Sequence, residues 1–164
     1  MIKSILKNMV SGAISATAGY TMGRIRYEKK FGKEIERAKG LSDKHYDLYM
    51  LMNQWVRVKQ EGKGVADYLK QKNYKKIAIY GMSYVGETLV HELYDSGIEI
   101  AYGIDRKARD IYAAFPMVSP DDRLELVDAV IVTAVSFFDE IAGDLCTKID
   151  CPILSLEDIV YEVM

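Results

Sequence analysis

Gly81 and Gly86 bracket the segment GMSYVG, which directly follows the apolar run Ile77-Ala78-Ile79-Tyr80. A glycine closing an apolar strand allows the positive φ of a tight turn, and a second lets the next helix pass close to that strand. Met82, Ser83, Tyr84 and Val85 then lie at a helix start. Backbone N–H groups there lack partners within the helix, and the helix dipole favours an anion beside them. The chemistry this pattern predicts is the holding of a phosphate. Ser83 stands where the dinucleotide pattern G-x-G-x-x-G has its second glycine, and its hydroxyl can donate to a phosphate oxygen.

Asp105 follows Gly81 by twenty-four residues and ends the next apolar run. An acid at that point accepts hydrogen bonds from ribose hydroxyls and disfavours a 2′-phosphate. NAD or a nucleoside diphosphate is therefore expected in preference to NADP, while Arg106 and Lys107 supply charge that could offset a phosphate. Thr133, Ala134 and Ser136, after a later apolar run, complete the predicted binding set. Asp105 is the sole evident acid–base group among these residues, so catalytic residues stay unassigned. The competing reading is a domain whose glycines serve only their own turn.

Two further patterns are set aside. Tyr68 and Lys72 have the YxxxK spacing of short-chain dehydrogenases but precede the first strand instead of following it. His91 lies one helical turn after Glu87, which predicts an exposed pair. Cys146 and Cys151 form no CxxC, and neither histidine is near them, so no metal site is expected and both thiols are predicted to be free and buried.

The elements that must position these residues alternate along the second half of the chain. Strands are predicted at 77–80, 98–104, 116–118, 129–133 and 153–155, with helices at 84–94, 138–146 and 156–163. Short apolar strands separated by helices bury both faces of a parallel sheet. With right-handed crossovers the predicted architecture is α/β: a five-stranded parallel sheet of order 3-2-1-4-5, over residues 75–164.

Residues 37–74 read as a helical brace. Ser42 is predicted to cap a helix carrying the stripe Leu48, Tyr49, Met52, Trp55 and Val56. Gly62 and Gly64 then stop it, and a short helix follows from Val65 to Lys72.

Residues 1–36 differ in composition. Sixteen uncharged residues, Asn8 to Gly23, precede an abrupt basic stretch from Arg24. Ile2, Leu6, Met9, Ala13, Ala16, Tyr20 and Gly23 recur in alternating steps of four and three, a helical period, with Ser15, Gly19 and Gly23 forming a small-residue ridge. Membrane association (spanning or on the surface), helix–helix self-association, and a signal or disordered tail all fit this segment. Residues 1–37 carry a net +5 against a formal −2 for the whole chain. That balance argues against nucleic acid as partner and points to an anionic membrane surface or a membrane protein.

The runs IAIYGMSYVGETLVHEL, IEIAYGIDRK and VDAVIVTA together resemble nucleotide-binding modules of bacterial surface-polysaccharide biosynthesis. These modules include domains of sugar acyltransferases, nucleotide-sugar dehydratases and sugar C-methyltransferases. The resemblance covers about residues 75–160 and implies a Rossmann-like fold binding NAD or a nucleotide-sugar through Gly81, Ser83, Gly86 and Asp105. It also extends to small stand-alone proteins of Gram-positive polysaccharide gene clusters. Ser83 replaces the usual glycine, and the chain has no room for the modules' usual catalytic domain. The expectation is a cytoplasmic accessory protein, homo-oligomeric or partnered, working at the inner membrane face without its own chemistry. The alternatives are an NAD-dependent oxidoreductase or epimerase subunit completed by a partner chain, and a structural interaction protein.

Overall fold

The computed structural model describes the backbone of residues 2–163 and the side chains of residues 24 and 26–163. The chain divides into two compact units, Met1–Tyr46 and Asp47–Met164. Helix α1 (Ile2–Gln60) supplies residues to both.

In the first unit every described side chain from Arg24 to Lys39 is exposed. Arg24 pairs with Glu28 at 2.9 Å, and the Tyr27 and Phe31 rings stack with centroids 5.9 Å apart. The predicted stripe from Ile2 to Gly23, its small-residue ridge and the membrane and signal readings attached to it fall on side chains outside those described. Among the described residues no helix is long and apolar enough to cross a membrane.

The helix predicted to start at Ser42 does not start there. α1 runs unbroken through residues 36–43. Arg37, Ala38, Lys39, Leu41 and Lys44 are all strong helix formers, and Gly40 costs only about 1 kcal/mol against alanine, too little to break so favourable a run.

In the second unit the end of α1 is followed by α2 (Val65–Gln71), with Gly62 at φ +73° in the turn between them. The elements then alternate: β1 (Lys76–Tyr80), α3 (Tyr84–Leu93), β2 (Glu99–Ile104), β3 (Met117–Val118), β4 (Ala129–Val132), α4 (Phe138–Leu145), β5 (Ile153–Ser155) and α5 (Leu156–Glu162). All neighbouring strands are parallel, in the order β3-β2-β1-β4-β5. The α/β character and strand order are those the sequence predicts. The sheet is Rossmann-like.

Side-chain alternation builds two cores. Ile77, Ile79, Ala129 and Ile131 face one layer with Val85, Leu89 and Leu93 of α3, Leu156 and Ile159 of α5, and Leu51, Trp55 and Val58 of α1. Ala78, Tyr80, Val130 and Val132 face the other, with Ile141 and Leu145 of α4. Each fully buried aliphatic side chain contributes roughly 1.5–3 kcal/mol. The buried stripe of α1 is therefore Leu51, Trp55 and Val58, with Leu48 and Met52 at its edge. Tyr49 and Val56, assigned to it from sequence, are exposed. The core-facing row lies further round the helix, with Leu51 and Val58 in one buried cluster with residues of α2 and α3.

Glu92 of α3 joins three elements. Its buried carboxylate accepts from the Trp55 indole N–H and, at 2.5 Å, from Val65 N–H, with Lys59 Nζ 3.6 Å away. A Cβ on Gly64 would collide with this carboxylate, which accounts for glycine there. The two thiols are free, but Cys146 is exposed, contrary to expectation. It follows the last residue of α4, outside the core, with Sγ 3.0 Å from Gly143 O. Cys151 is half-buried, and burial above all raises its thiol above the usual range, with Asp150 and Asp128 adding to the effect.

Candidate functional site

β1 and β4 are adjacent, while the connections leaving them run to opposite faces of the sheet, α3 to one and α4 to the other. Their carboxyl ends therefore open a crevice, the usual place for a ligand in such sheets. Gly81 N–H donates to Ile104 O at 2.9 Å, and Gly81 then turns with φ +95°. Any Cβ at 81 would approach Thr133 Oγ1 to 2.8 Å, so glycine is required for both conformation and space. A Cβ on Gly86 would overlap Gly81 O, which fixes how closely α3 crosses the end of β1.

Ser83 is the N-cap of α3, and its side chain makes no capping bond. The first helical bond runs from Glu87 N–H to Ser83 O, leaving the amides of residues 84–86 without partners inside the helix. The Asp105 carboxylate leans back over this turn. Its Oδ2 accepts Met82 N–H at 3.0 Å, and its Oδ1 accepts Lys107 N–H at 2.8 Å.

The crevice beside them encloses about 330 Å³ and is lined by Tyr80, Gly81, Ser83, Asp105, Arg106, Lys107, Ala134, Phe137, Glu140 and Ile141. The Tyr80 side chain first, and then Glu140 at 3.4 Å, hold the Arg106 guanidinium more firmly in the charged form. Phe137 and Ile141 give the crevice an apolar side; Asp105 and Arg106 bring opposite charges to its rim.

The residues singled out from sequence thus separate by role. Gly81, Ser83, Asp105 and Ala134 line the crevice, and Met82 contributes its amide to Asp105. Val85 is buried in the core, Gly86 packs on the strand end, and the Tyr84 side chain is exposed. The Thr133 hydroxyl is buried and lies 2.5 Å from Gly81 O and 3.1 Å from Tyr80 O, a latch on the turn.

Ser136 lines a different crevice, of about 560 Å³, with Phe137, Ser155 and the acids Asp139, Glu140, Glu157 and Asp158. Burial raises the Glu157 carboxyl, and the Asp47 and Asp158 carboxylates raise it further. Tyr80, Phe137 and Ile141 were not predicted as site residues. Tyr80 and Ile141 are themselves core positions, so their sequence signal is that of packing.

Tyr68 is buried, and Lys72 lies 5.2 Å from its ring and 3.0 Å from Glu162, so the YxxxK pair has a structural role. Among the described residues no three His, Cys, Asp or Glu side chains are grouped to hold a metal ion. No family model, curated protein or solved structure matches the chain.

Proposed function

We propose that the crevice binds a ribose-bearing phosphate compound, NAD or a nucleotide-sugar, and that the chain is a binding component of cell-surface polysaccharide assembly without chemistry of its own. The observation that carries the binding reading is Asp105, poised between the α3 turn and Arg106. Each of its oxygens holds one backbone N–H and keeps a second lone pair for a hydroxyl. A vicinal diol satisfies both at once. The free amides of residues 84–86 and the uncapped Ser83 hydroxyl favour a phosphate next to it, and the apolar wall at Phe137 and Ile141 suits a base.

The pathway assignment rests on the sequence resemblance alone. The non-catalytic reading rests on the crevice lining, where no nucleophile–base pair accompanies Asp105. Thermal shift with NAD, NADP and several nucleotide-sugars tests the binding: NAD or a nucleotide-sugar raises the melting temperature more than NADP does. No response to any of them at millimolar concentration contradicts it.

A further inference from the structure

We infer that residues 31–45 of α1 form an interaction surface for a second copy of this chain, the two helices joined in a parallel, in-register coiled coil. Phe31, Ile35, Ala38, Ser42 and His45 follow one another in steps of four, three, four and three on α1, and all are exposed. That stepping is the a/d seam of a heptad, with Ile35 and Ser42 at a and Phe31, Ala38 and His45 at d. Phe31 is 52 % exposed and Ile35 56 %, with Tyr27 and Leu41 exposed beside them. So much apolar side chain on one helical row asks for a cover.

The charges say what the cover is. Between residues 29 and 44 every charged side chain falls at b, c or f, facing away from the seam, except two. Glu34 stands at g and Lys39 at e, five residues apart. In a parallel pair a g residue faces the e residue of the next heptad on the partner helix, so Glu34 of each copy meets Lys39 of the other. Both contacts form at once across the two-fold axis. An acid bordering the apolar row would oppose insertion into an anionic lipid surface, whereas here it finds a partner. The seam begins at Phe31 because Arg24 and Glu28, at the preceding d and a positions, pair within their own helix at 2.9 Å. In the sequence the a positions of this register continue after His45 at Tyr49 and Val56, both exposed.

Sedimentation of the full chain at micromolar concentration tests this, with Cys146 and Cys151 replaced by serine for the cross-linking arm. The chain sediments at twice its own mass, and Phe31→Asp with Ile35→Asp returns it to monomer with the melting transition of the sheet unit retained. Both residues are exposed in the single chain, so this variant spares its fold. Ala38→Cys forms a covalent dimer on mild oxidation severalfold faster than Arg37→Cys, which lies at an outward position. Glu34→Lys weakens the dimer severalfold, and adding Lys39→Glu restores it. A monomer throughout this range overturns the inference, as does equal cross-linking at 37 and 38. A monomer that binds anionic vesicles overturns it in favour of a lipid surface.

Discussion

The Asp105 carboxylate accepts the Met82 N–H at 3.0 Å, across the mouth of the turn between β1 and α3. An incoming ligand therefore meets a negative charge already seated at the glycine turn, with Arg106 and Lys107 lining the same crevice. Asp105→Asn keeps the shape and removes the charge. Hydrogen bonds to a charged group contribute about 1.5–3 kcal/mol, so NAD affinity falls roughly ten- to hundredfold, and the preference for NAD over NADP narrows. Calorimetric titration reads both effects. Unchanged NAD affinity in this variant would remove Asp105 from the ribose contact.

Gly86→Ala forces a methyl group onto Gly81 O. The neighbour is backbone and the strand end is fixed by parallel pairing on both sides, so α3 must shift. Overpacking of this kind costs about 1–3 kcal/mol. Urea unfolding gives the value, and a loss below a few tenths of a kcal/mol would show that α3 moves freely.

Glu92→Leu leaves the Trp55 indole N–H and the Val65 N–H without their common acceptor. Each buried donor so orphaned costs about 1–3 kcal/mol, which makes this variant more damaging than any surface substitution on α3. Equilibrium unfolding followed by Trp55 fluorescence checks it. Glu87→Leu, five residues earlier on the same helix and exposed, serves as the control with little effect.

Asp128 accepts the backbone N–H groups of Lys76 and Lys75 at 2.8 and 2.7 Å, and these bonds hold its carboxyl below the usual aspartate range. A depressed folded-state pKa means the stabilisation is complete above the unfolded value of about 3.9 and is lost as pH falls through the lower folded value. Asp128→Asn therefore lowers the melting temperature at neutral pH and flattens its decline on acidification. An unaltered acid limb in the variant would assign that decline to other carboxylates.

Strands and their order were legible because the strands are short, apolar and punctuated by glycine, proline and aspartate, so period and turn chemistry agree. The positive φ at Gly81 and the close approach at Gly86 were legible for the same reason. Four things were not. The continuity of α1 across Gly40 depends on a sum of weak helix propensities that no single residue announces. The rotation of its buried face toward Leu51 and Val58 depends on where α2 and α3 lie against it. Thr133, placed in the site by its position after β4, spends its hydroxyl on the backbone of β1, a contact fifty-two residues distant in sequence to Gly81. Glu92 was missed outright, because a glutamate on a helix reads as solvent-facing until its two donors are brought to it by tertiary packing.

Every ligand contact assigned to the crevice requires a nucleotide to reach the turn between β1 and α3. Amide NMR of the labelled chain, titrated with NAD and with a nucleotide-sugar, reports on that turn directly. The predicted result is saturable movement of the Met82–Gly86 amides together with those of Asp105 and Lys107, while the amides of Tyr68 and Lys72 stay fixed. If those turn amides stay in place at millimolar ligand, the crevice does not bind nucleotide and the glycines serve only their turn.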